Sequence, residues 1–105
     1  MAICVVKKKD GSVIVRAEDA KQVIRLEGNY YFHPDLVDTS MLDITSRIYD
    51  CPKKGICNWI DLKSDTGFVT DAAWVYPRPL AGFEQIAGWF GFYADHRYYE
   101  TRECE

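Results

Sequence analysis

Turn-forming residues punctuate this chain at short intervals, and the stretches between them are short and rich in β-branched and aromatic residues, which points to strands. Ile3-Cys4-Val5-Val6 and Val13-Ile14-Val15 flank Asp10-Gly11, a strong turn signal, and predict a hairpin. Gln22 to Leu26 reads as the next strand, ended by Glu27-Gly28-Asn29 and followed by the aromatic run Tyr30-Tyr31-Phe32. His33-Pro34-Asp35 starts a loop, because proline removes a backbone donor and pushes the preceding residue toward an extended conformation. Asp43 to Tyr49 alternates as a strand does. Cys51-Pro52-Lys53-Lys54-Gly55 reads as a loop, and Cys57 to Leu62 leaves it as a strand. Ser64 to Gly67 is a turn, and Phe68-Val69-Thr70 is a short extended piece before Asp71 to Pro77.

One short helix is predicted, from Leu80 to Ala87. Pro79 precedes it, Phe83, Ile86 and Ala87 fall at helical spacing, and Gly88 is suited to close it. The period then changes to two. Trp89, Gly91 and Tyr93 face one way and Phe90, Phe92 and Ala94 the other, so this strand is expected at the centre of a sheet with cover on both faces. Asp95 to Glu105 is polar and expected to fray. The fold class is mainly β, in one domain spanning residues 1–105 with its core at about residues 13–93.

A chain of 105 residues, 48% of them hydrophobic, suffices for one core without metals or several disulfides. Thirteen basic residues against 16 acidic leave a net charge of −3, which gives no field to recruit nucleic acid or anionic lipid. The run Lys7-Lys8-Lys9 beside Asp10-Gly11 reads as a solvated hairpin tip. Neither a signal peptide nor a membrane span is expected, so a cytoplasmic setting is. There Cys4, Cys51, Cys57 and Cys104 are expected as free thiols, although their even number also allows pairing. An oligomer is allowed but nothing indicates one.

Four segments in order resemble the bacterial family catalogued as domain of unknown function 427: Glu27 to Phe32, Cys51 to Gly55, Asp71 to Pro77, and the approach to Gly91-Phe92-Tyr93. The resemblance runs from Val13 to Tyr93. It implies two antiparallel sheets leaning together with a short helix alongside, the Mss4-like or β-tent architecture. The chain departs from the family pattern at Lys53, where a Cys-Pro-Trp-Lys-Gly segment has tryptophan. It departs again at Cys57-Asn58-Trp59, where a small residue and tyrosine are usual. Trp59 is placed to supply the missing aromatic surface from a neighbouring position.

The residues suggest a binding pocket walled by Tyr31, His33, Trp59, Trp74 and Tyr76, with Glu27, Asn29, Lys54 and Asp71 as polar anchors. Aromatic rings bury large areas at small entropic cost, and a few polar groups fix orientation. The competing reading makes the same rings core, most directly Trp74 and Tyr76, which share a strand face. The enzymatic alternative uses Cys51 as a thiol nucleophile, with His33 as base and Lys54 or the turn amides favouring the thiolate. A structural cysteine at a strand end is the simpler account of Cys51.

No metal or cofactor is expected, since Cys51 and Cys57 lack the close spacing of zinc ligands. The family's nucleotidyltransferase-like label would need converging carboxylates and a phosphate cradle, and neither pattern is present. A small-ligand or partner-binding role therefore stands ahead of an enzymatic one, and a purely structural role is the third reading.

Overall fold

The computed structural model describes residues 1–105. Its strands are β1 (Ala2–Lys7), β2 (Val13–Ala17), β3 (Val23–Leu26), β4 (Asn29–Phe32), β5 (Leu42–Cys51), β6 (Gly55–Ser64), β7 (Gly67–Val75), β8 (Phe90–Phe92) and β9 (Tyr99–Cys104). They form two sheets, one in the order β2-β1-β9 and the other in the order β3-β4-β8-β7-β6-β5, with every pairing antiparallel. The mainly β class and its two antiparallel sheets are as expected.

Local chemistry sets each reversal. Between β1 and β2 the Asp10 carboxylate accepts from the Ser12 N–H and hydroxyl, and Gly11 takes a φ of 74°. Between β3 and β4, Leu26 pairs with Asn29 across a turn of only two residues, Glu27 and Gly28, both at positive φ (54° and 83°). That is the requirement of the type I′ turn, whose twist matches the flanking strands. Glutamate is an unusual occupant of its first position, since a side chain at positive φ costs on the order of 1 kcal/mol.

The two sheets enclose the main core. Val5, Val15, Phe32, Ile60, Leu62, Phe92 and Tyr99 are all sequestered there. β8 lies between β4 and β7 with all three residues buried, the central position its alternation predicts. Tyr99 satisfies its phenol inside the core by donating to the Ala72 carbonyl at 2.6 Å and accepting from the Tyr93 N–H at 2.8 Å.

Three expectations are overturned. Leu80 to Ala87 is no α-helix: Gly82 sits at a φ of 95°, the Leu80 N–H donates to the Lys54 carbonyl, and only Glu84–Ile86 makes a 3-10 turn. Eight residues with a glycine inside them pay too high a nucleation cost, and the segment follows tertiary contacts instead. The terminus does not fray, because β9 pairs with the whole of β1 and buries Tyr99 and Thr101. The core therefore reaches beyond residues 13–93 at both ends. Lastly, Cys4 and Cys104 are joined in a disulfide that pins β1 to β9, while Cys51 and Cys57 are free. Both partners sit in strands that pair in register close by, Ala2 opposite Cys104 and Cys4 opposite Arg102, so the bond closes between elements already adjacent.

A link across 100 residues restricts the unfolded chain strongly, on the order of 4–5 kcal/mol in a chain-entropy account. Thiol titration of the protein unfolded in denaturant without reductant should count two reactive cysteines, rising to four after reduction. A count of four before reduction would remove the disulfide from this account.

Candidate functional site

The six-stranded sheet has a second face, turned away from the three-stranded sheet, and its residues follow from strand periodicity. Tyr31 on β4 pairs with Gly91 on β8, Gly91 with Trp74 on β7, and Trp74 with Trp59 on β6. Residues opposite one another point to the same side, so this row carries three rings and one glycine. A Cβ at Gly91 would lie 2.9 Å from Cζ2 of Trp74 and closer still to Cε2 and Nε1. Gly91 is thus the gap into which the Trp74 indole folds.

The indole is held there. Its Nε1–H donates to the Tyr31 hydroxyl at 3.1 Å, and its ring meets Tyr93 edge-on at 4.7 Å between centroids and Trp59 at 6.2 Å. Such edge contacts are each worth about 0.5–1.5 kcal/mol beyond burial. The connection from β7 to β8 folds across part of this face, burying Ile86, and is tied down where Gly88 N–H donates to the Tyr76 carbonyl.

What remains uncovered is a cleft of about 160 Å³. Trp74 and Tyr76 follow β7 into it, Cys57 and Trp59 come from β6, and Asn29 and Tyr31 from β4. Tyr49, Tyr93 and Lys54 complete the walls. Wider depressions exist, among them one of about 430 Å³ between the β1–β2 and β6–β7 turns, but it is lined mainly by solvated charged and polar turn residues. The aromatic cleft is the depression walled by several aromatic rings, with Asn29 and Lys54 among them.

Its electrostatics are one-sided. Lys54 is largely withdrawn from solvent, with its side chain 13% exposed, and its ammonium pairs with Glu27, which also receives Lys53 at 3.0 Å. Burial works against the Lys54 charge, but the Glu27 hydrogen bond together with the neighbouring Tyr31, Cys51 and Glu27 outweighs it and raises its pKa. Hydrogen bonds from Lys54 and Lys53, followed by the Lys54 charge, hold the Glu27 carboxyl down at about 2. Burial pushes the Tyr31, Tyr76 and Tyr93 phenols upward, so all three remain protonated near neutrality.

The two free thiols differ. For Cys51, burial opposes ionisation but is outweighed by the N–H groups of Lys54 and Lys53, the Lys54 charge and the Tyr76 hydroxyl, so the thiol titrates below its ordinary value. Burial dominates at Cys57 and pushes its thiol up.

Of the residues singled out in the sequence, Asn29, Tyr31, Lys54, Trp59, Trp74 and Tyr76 meet at the cleft. Glu27 reaches it only through Lys54. Asp71 lies elsewhere, at a β-bulge with a φ of 53°, where its carboxylate and that of Asp61 share the Arg47 guanidinium. His33 also stands outside the lining: its ring packs on Trp89 at 5.3 Å and its Nδ1 accepts from the Asp35 N–H. No cluster of three His, Cys, Asp or Glu side chains is placed to hold a metal ion.

Sequence reasoning passed over Tyr49, Cys57 and Tyr93 as cleft residues. Tyr93 was within reach of strand alternation, being two residues from Gly91. Tyr49 was not, because its place depends on the β5–β6 register that sets it opposite Cys57.

The thiol contrast has a measurable consequence. On alkylation of the native protein with iodoacetamide, peptide mass spectrometry should find Cys51 modified faster than Cys57, with half-maximal rate at a pH below the ordinary thiol value. Equal rates, or a faster Cys57, would contradict the thiolate-favouring turn.

A family model described as Domain of unknown function (DUF427) matches residues 3–103. No curated protein matches the chain.

Proposed function

We propose that this chain, which belongs to the family of domain of unknown function 427, is a binding module for a small planar molecule held in the aromatic cleft. The observation that carries the reading is the cleft itself, whose lining combines Tyr31, Trp59, Trp74 and Tyr76 with the polar Asn29 and Lys54. Its size is informative. At about 160 Å³ it is close to the roughly 150 Å³ cavity that accommodates benzene in a protein core, room for one ring inside the cleft.

A nucleoside triphosphate is far larger than that. The carboxylates of Asp61 and Asp71 meet on Arg47 and are committed to it, which argues against nucleotidyl transfer. The thiol-enzyme alternative keeps one supporting observation, the favoured ionisation of Cys51, but His33 is engaged with Asp35 and Trp89 rather than placed as its base. No helix is long and apolar enough to cross a membrane. The closed Cys4–Cys104 bond fits an oxidising setting better than the reducing cytoplasm.

Saturation-transfer NMR with a set of one-ring compounds, two-ring compounds and nucleoside triphosphates tests this. One-ring compounds should give the binders. Trp59→Ala should weaken them on the order of tenfold, the scale of a lost aromatic wall, whereas Phe68→Ala, at an exposed position outside the cleft, should not. Binding indifferent to Trp59→Ala, or preference for the triphosphates, would contradict the proposal.

A further inference from the structure

Resting on the reading of this face as a ligand cleft, we infer that its occupant is an anion: a single planar ring bearing a carboxylate, with the carboxylate at Lys54 and the ring against Trp59 and Trp74. Aromatic clefts are more familiar as receptors for cations, because ring faces carry negative charge. In this protein that position is already filled from within. The Lys54 ammonium lies 6.0 Å from the ring centroids of both Tyr76 and Phe83. A second cation would meet its repulsion, and the carboxylate beside it, Glu27, lies outside the lining and is already shared by Lys54 and Lys53.

The hydrogen-bonding inventory points the same way. Lys54 offers only donors, and the Tyr31 hydroxyl, already accepting from Trp74, has its own proton left to give. The tyrosine hydroxyls and the Asn29 amide can each donate or accept, so the one group of the lining with a fixed preference is the Lys54 ammonium, which only donates. An acceptor-only group such as a carboxylate complements that ammonium, and charge assistance makes such bonds roughly twice as strong as neutral ones.

The β3–β4 turn supplies the stand-in. Glu27 accepts a positive φ and places its own carboxylate on Lys54 from the rim, outside the lining. A non-glycine residue in that conformation persists where surrounding contacts overdetermine it, and here those contacts are the two lysine pairs. Glu27 thereby holds the ammonium in place while the cleft is empty and competes with a ligand carboxylate for it.

Isothermal titration with benzoate, benzamide and benzamidine, near-isosteric rings that differ in charge, decides the matter. Benzoate should bind about tenfold or more tightly than benzamide, and benzamidine most weakly. Lys54→Met should weaken benzoate far more than benzamide and so erase the benzoate advantage. Glu27→Gln, which removes the competing carboxylate and retains the side-chain length, should tighten benzoate severalfold and gives an independent readout if the Lys54 variant does not fold. Benzamide or benzamidine binding tightest, a benzoate advantage that survives Lys54→Met, or benzoate weakened by Glu27→Gln would overturn the inference. If none of the three binds, the anion inference falls, and the cleft reading falls with it only when the fragment set gives no Trp59-dependent binder.

Discussion

The Trp74 indole lying across Gly91 is the contact on which the outer face of the large sheet depends. A side chain at position 91 would occupy the space of the indole, so the bare backbone of β8 and the ring of β7 form one unit. Once the indole is seated, its N–H meets Tyr31, and its ring makes edge contacts with Tyr93 and Trp59. Of these strands, β4, β8 and β7 bury Phe32, Phe92 and Ala73 on their opposite side. One short stretch of sheet therefore anchors both the main core and the walls of the cleft.

A second set of constraints comes from two turns that lie together. Glu27 at the tip of β3–β4 reaches Lys53 and Lys54 at the tip of β5–β6, and the Lys54 carbonyl accepts from Leu80 at the start of the connection that covers the outer face. Exposed ion pairs contribute little by themselves. Lys54, however, is mostly withdrawn from solvent and its position is fixed from three directions, which converts a flexible cation into an oriented donor. The same turn amides that favour the Cys51 thiolate belong to Lys53 and Lys54, so the chemistry of the cleft margin is concentrated in a few residues.

Strand positions were legible in the sequence because turn chemistry is local. Asp10-Gly11, Glu27-Gly28 and Asp65-Thr66-Gly67 reverse the chain where their residue types require, and the alternation around Gly91 announced a central strand. The failures share a different origin. The apolar spacing at Phe83 and Ile86 reads as helical, yet Ile86 is buried by contacts with strands distant in sequence. Likewise, the polar terminal segment becomes β9 only because β1 offers it a partner, and nothing in either segment encodes the disulfide pairing of Cys4 with Cys104. In the cleft, Tyr31, Trp59, Trp74 and Tyr76 could be singled out as rings on strands, whereas Asp71 and His33 could not be excluded without knowing their partners. Asp71 is taken up by Arg47, and His33 by Trp89 and Asp35.

The account's central claim is that the outer sheet face, where Tyr31, Cys57, Trp74, Tyr76 and Ile86 form a second, smaller buried cluster, also carries a preformed ligand cleft. The three tryptophans provide an internal comparison, since Trp59 and Trp74 line the cleft and Trp89 packs outside it against His33. The direct measurement is the set of indole N–H signals in ¹H–¹⁵N correlation spectra during titration with benzoate. The account predicts that the Trp59 and Trp74 signals move together along one saturation curve while Trp89 stays in place. Movement of Trp89 alone, or three stationary signals up to millimolar benzoate together with a blank one-ring fragment screen, would contradict it.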